Sequence, residues 1–94
     1  MSSVQLFTSR ATNGSSNYFD HWGDDLIIWV WGTLGGASVS VEIETPDGSA
    51  WVGMEGGTWT ASGAKVLRMP ASRIRLTVTS ASGTTSINSA VRRQ

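Results

Sequence analysis

Residues 24–32 read DDLIIWVWG: two acids, six apolar residues of which two are tryptophan, and a glycine. A strand with one face in water alternates apolar and polar residues, because successive side chains point to opposite faces. This stretch does not alternate. As a strand it places Leu26, Ile28 and Val30 on one face and Ile27, Trp29 and Trp31 on the other. Only one of those faces can enter the core of a two-layer fold. The other must meet a loop, a segment of the same chain or another protein, since clustered exposed apolar side chains mark interaction sites.

The flanking sequence also reads as strands. Val4–Ala11 (VQLFTSRA) alternates loosely, and Thr12–Asn17 (TNGSSN) has turn chemistry. YFDHWGDD suits a short strand and a tight connection, and TLGGA breaks the long apolar strand at Gly35-Gly36. Ser38–Glu44 (SVSVEIE) alternates cleanly, with Val39, Val41 and Ile43 on one side. TPDGS is a turn with proline and glycine where turn geometry wants them, and AWVGM is the returning strand. EGGT then suggests a second tight turn centred on Gly56-Gly57, setting Met54 opposite Trp59 and Val52 opposite Ala61. Lys65–Met69 is a strand ended by Pro70. In Ser72–Ser80, Ile74, Leu76 and Val78 point inward and Arg73, Arg75, Thr77 and Thr79 outward. Ser86–Val91 is a last strand or a short helix. About eight short strands at regular spacing, joined by turns, predict an all-β antiparallel sandwich or a jelly-roll-like small barrel.

The 94 residues suit one domain, residues 1–94, with residues 1–3 and 92–94 as possible extended terminal segments. A domain of this size buries about 60–65% of the surface its unfolded chain exposes, enough for one core. There is no cysteine, so no disulfide or thiolate metal site supplements that core. No apolar run approaches the roughly 20 residues of a spanning helix, and no membrane contact is expected. The start MSSVQLFTSR lacks the basic and apolar regions of a signal peptide, so synthesis in the cytoplasm is expected.

Net charge is zero, but it is unevenly spread. Residues 1–55 hold all seven acids and only Arg10, a balance of −6; residues 56–94 hold six cations and no acid, a balance of +6. Either the halves interleave and the charges pair or are solvated, or the molecule has an acidic and a basic side suited to head-to-tail association. The tryptophans lie away from the basic cluster, so direct nucleic-acid binding is not expected.

Little in the sequence points to catalysis. His21 is the only histidine, set among Asp20, Asp24 and Asp25. That cluster matches no calcium-loop or histidine–metal spacing and reads as a solvated loop that also blunts a strand end with charge. There is no Gly-x-Ser-x-Gly elbow and no phosphate or dinucleotide loop. A non-enzyme without cofactor or metal is expected. Five tryptophans are many for this length. Trp51 and Trp59 suit core or hairpin packing.

Gly32–Val52 (GTLGGASVSVEIETPDGSAWV) and Pro70–Ile87 (PASRIRLTVTSASGTTSI) together resemble small all-β structural proteins of tailed-phage virions. The shared features are the Gly-Gly-Ala break, the Pro-Asp-Gly turn, the tryptophan strand and a late Ile-Arg strand closed by a Ser-Gly turn. The resemblance implies a virion protein that decorates a capsid and cements neighbouring capsomers, or a neck or tail component. It implies the major capsid protein or other virion proteins as partners. Homo-oligomerisation, with a trimer favoured, fits that role. The expected partner interface is Ile27, Trp29 and Trp31 with Arg73, Arg75, Arg92 and Arg93, the arginines meeting acids of an adjoining subunit. The alternatives are a carbohydrate-binding module using exposed tryptophans and a small inhibitor.

Overall fold

The computed structural model describes residues 3–21, 25–68 and 72–93. Among them are nine strands and no helix: β1 (Val4–Arg10), β2 (Gly14–Ser15), β3 (Phe19–His21), β4 (Asp25–Thr33), β5 (Ser38–Glu44), β6 (Trp51–Trp59), β7 (Gly63–Arg68), β8 (Ser72–Thr79) and β9 (Ser86–Arg93). They form two antiparallel sheets, a small β-sandwich. Sheet A runs β1-β9-β4-β7; sheet B runs β2-β8-β5-β6, with β3 also on β8. The chain's last described strand therefore lies between its first and its fourth.

Alternation decides what each strand buries. Leu26, Ile28 and Val30 of β4 are at most 1% exposed, as are Ile87 and Val91 of β9. Facing them from sheet B are Val39 and Val41 of β5 and Ile74, Leu76 and Val78 of β8, equally buried. Trp59 and Phe7 close the core at its edges, at 3% and 4% exposure. Each such aliphatic side chain contributes about 1.5–3 kcal/mol by leaving water. Two polar side chains are buried among the described residues: Thr85, whose hydroxyl donates to Leu34 O at 2.8 Å, and Ser89, whose hydroxyl has no hydrogen-bond partner.

Three expectations need correction. Gly56-Gly57 is no hairpin turn. β6 runs unbroken from Trp51 to Trp59, and the glycines sit in a bulge where β5 advances two residues, Ser40 to Glu42, while β6 retreats five, Thr58 to Gly53. Gly56 has φ +78°, and a Cβ on Gly57 would lie 3.0 Å from Val41 Cβ. The glycine pair thus lets the extra residues loop out while the backbone closes on the core. Within Thr12–Asn17, Gly14 and Ser15 pair with Val78 and Thr77, so the expected turn contains a short strand. At the C-terminus, Arg92 and Arg93 continue β9 opposite Ile27 and Leu26 and form no separate segment. Met1, Ser2, Trp22–Asp24, Met69–Ala71 and Gln94 lie outside the described residues, and with them parts of the terminal segments and of the acidic cluster.

Three of the four sheet edges are irregular. β1 carries two register shifts against β9, with Ser9 at φ +49°. β2 and β3 are separate short pieces on one side of β8, and β6 has its glycine bulge. β7 alone pairs in unbroken register, from Gly63 opposite Val30 to Arg68 opposite Asp25. Bulged and interrupted edges resist pairing with another chain.

Candidate interaction surface

Because β4 is flanked by β9 and β7, its second apolar row forms the middle of sheet A's outer face. Ile27 stands between Arg92 and Val66, Trp29 between Ala90 and Ala64, and Trp31 beside Asn88. The small neighbours of Trp29 leave room for its ring to lie low on the sheet, and it is half-buried. Trp31 is 43% exposed and Val66 56%. The Arg92 guanidinium lies 5.1 Å from the Trp29 ring centre, a cation–π contact worth about 0.5–1 kcal/mol at an exposed site. Ile27, like Trp29, is half-buried, so the open part of the row is Trp31 with Val66.

Arg73 and Arg75 lie elsewhere, on the outer face of sheet B. Arg75 Nε donates to Glu42 Oε1 at 2.7 Å, and its guanidinium lies 4.5 Å from the Trp51 ring centre. Thr77 Oγ1 donates to the same Glu42 oxygen at 2.6 Å and is 2.8 Å from Ser15 Oγ. Arg73 Nε donates to Asp20 Oδ1 at 3.2 Å, Arg73 Nη1 is 4.0 Å from Glu44 Oε1, and the Arg73 guanidinium lies 4.6 Å from the Tyr18 ring centre. Burial works against the charged form of Glu42, but the hydrogen bonds from Thr77 and Arg75 and the Arg75 charge outweigh it, so its pKa falls below the usual value.

The seven residues expected to share an interface therefore divide. Ile27, Trp29, Trp31 and Arg92 share one face. Arg93 follows Arg92 but points the other way, in register with Leu26, and its Nε is buried without a partner. Arg73 and Arg75 are on the opposite side of the sandwich and are paired within the chain. Acids of an adjoining subunit are their expected partners; within the chain the acids they meet are Asp20, Glu42 and Glu44. Val66 and Ala64 join the apolar face without having been expected there, because β7 shows too little alternation to reveal its outer side without the register to β4.

The charge halves interleave. Arg68–Asp25, Arg73–Asp20, Arg73–Glu44 and Arg75–Glu42 each join a cation of the later half to an acid of the earlier one. In the expected acidic cluster, Asp25 meets Arg68 at 3.0 Å and Asp20 meets Arg73, while Asp24 lies outside the described residues. Among the described residues no three acids, histidines or cysteines gather as a metal would need. A cavity of about 310 Å³ opens along Thr58–Lys65 where β6 passes to β7. Its lining offers hydroxyls and the Lys65 ammonium, 5.7 Å from the Trp59 ring centre, but no carboxylate or imidazole. No helix among the described residues is long and apolar enough to cross a membrane. Compared with protein-family models, curated proteins and solved structures, the chain finds no match.

Proposed function

We propose that this is a non-enzymatic structural protein that works through the outer face of sheet A, as a subunit contact within an assembly. The role that best fits is the one implied by the resemblance: decoration and cementing of a tailed-phage capsid. The observation that carries the reading is the outer row of Ile27, Trp29, Trp31 and Val66, apolar side chains on the solvent side of a sheet whose inner face already fills the core. A buried aromatic at a contact centre, ringed by arginine, is the composition protein interfaces favour.

The test is mass by light scattering, with sheet content by circular dichroism. Wild type is expected to be an oligomer, and Trp29→Ser/Trp31→Ser a folded monomer. A wild-type monomer, or a double variant that unfolds, overturns the reading. The carbohydrate-binding alternative draws on the Trp31 ring exposed beside the Asn88 amide. Tryptophan fluorescence that shifts on adding glycans to a monomeric wild type decides for it.

A further inference from the structure

Interleaving pairs the charges but does not spread them evenly between the layers. Among the described residues, sheet A carries the cations Arg10, Lys65, Arg68, Arg92 and Arg93 and the single acid Asp25, a balance of +4. Sheet B with its turns carries the acids Asp20, Glu42, Glu44, Asp47 and Glu55 and the cations Arg73 and Arg75, a balance of −3. The sandwich is therefore positive on one layer and negative on the other.

The charges left over after internal pairing keep that division. On sheet A, Arg92 rests on Trp29 and has no acid beside it among the described residues. On sheet B, Asp47 and Glu55 are the acids without a cation among the described residues, Asp47 in the turn that leads into the edge strand β6 and Glu55 in the bulge of that strand. Both are exposed. Thr45 Oγ1 donates to Asp47 Oδ1 at 2.7 Å, and the Ser49 amide and hydroxyl donate to it at 3.0 and 2.8 Å. These bonds lower the Asp47 pKa to about 2, so the turn keeps its negative charge across the whole working pH range.

We infer that the occupant of the tryptophan face is a second copy of this chain, presenting the Asp47 and Glu55 edge of its sheet B, so that copies join head to tail. The inference rests on the structural reading above and names its partner. The one acid on the tryptophan face among the described residues, Asp25, is paired with Arg68, so two such faces placed against each other would leave both Arg92 cations without an acid, and unmatched charge in an interface is costly. The acid-bearing edge supplies opposite charge. A contact between two different patches leaves one patch free on each end of a pair, so it propagates until it closes into a ring or runs on as a filament.

Charge reversal tests this in light scattering, with thermal melting to confirm folding. Arg92→Glu and Asp47→Lys/Glu55→Lys are each expected to weaken self-association about tenfold or more. An equimolar mixture of the two is expected to regain association, since each reversed patch then meets its complement. Asp47→Lys removes bonds that shape its turn, so Glu55→Lys alone, at an exposed side chain without an ion pair, is the control and is expected to weaken association in the same direction. If both acid-side variants associate like wild type while Trp29→Ser/Trp31→Ser does not, the contact joins two tryptophan faces. The head-to-tail inference is then overturned and the structural reading stands. A wild type that is monomeric overturns both.

Discussion

The two outer faces of this sandwich are built from the same parts and finished differently. Each sets arginine over an aromatic ring: Arg92 on Trp29 in sheet A, Arg75 on Trp51 and Arg73 on Tyr18 in sheet B. On sheet B the arginines also meet Glu42, Glu44 and Asp20, so charge and ring are satisfied together. On sheet A no acid among the described residues joins Arg92, and Trp31 and Val66 are exposed. An arginine over a tryptophan is thus not by itself a sign of a binding surface. The two faces differ in the contacts that the described residues supply to the arginine and the ring.

The sharpest way to test that contrast is within β4, whose inner row is fully buried against sheet B and whose outer row is not. Ile28→Ala is expected to cost about 2–5 kcal/mol in denaturant unfolding, because a fully buried side chain leaves a cavity. Ile27→Ala, on the half-buried outer row, should cost under about 1 kcal/mol in the monomer. Equal losses would mean the outer row is packed as a second core.

Sheet B should break at Glu42. Glu42→Gln weakens the charged bonds from Arg75 and Thr77 and is expected to cost about 1–2 kcal/mol at neutral pH. The folded-state pKa of Glu42 lies below its ordinary 4.5, so its contribution is fully present above that value and is lost as pH falls through the folded one. Acid titration of stability should therefore flatten in the variant over that window. An unchanged profile would show that the network adds nothing to folding. Least in size, Ser89→Ala should raise stability by roughly 1 kcal/mol, since it deletes a buried hydroxyl that has no partner. A loss there would mean that the hydroxyl is satisfied in solution.

Much of the fold could be read from alternation. Ser38–Glu44 is a strand with the bounds that its pattern suggests, and in β8 Ile74, Leu76 and Val78 face inward as the same rule requires. The doubled apolar pattern of residues 26–31 marks a strand with something to do on both faces. Alternation carries no register, however. Arg73 and Arg75 read as outward-facing and are so, but nothing local says that Glu42 is the residue opposite Arg75. Gly56-Gly57 reads as a turn because turns and bulges call on the same backbone freedom. Only the pairing with β5 on both sides of the glycines distinguishes them. The apolar surface was legible from its central strand, and its extension onto β7 was not.

The position of β9 bears on the order in which this molecule can assemble itself. β9 lies between β1 and β4 and pairs with both. As the chain leaves the ribosome, β1 and β4 emerge long before the strand that joins them, and sheet A cannot close on local hairpins. Its completion waits for contacts between residues more than 80 apart in the chain, such as Val4 with Val91, and contacts of that span make folding slow. Until then the tryptophan row and the inner row of β4 are exposed together, the condition in which a nascent chain is most prone to bind the wrong neighbour.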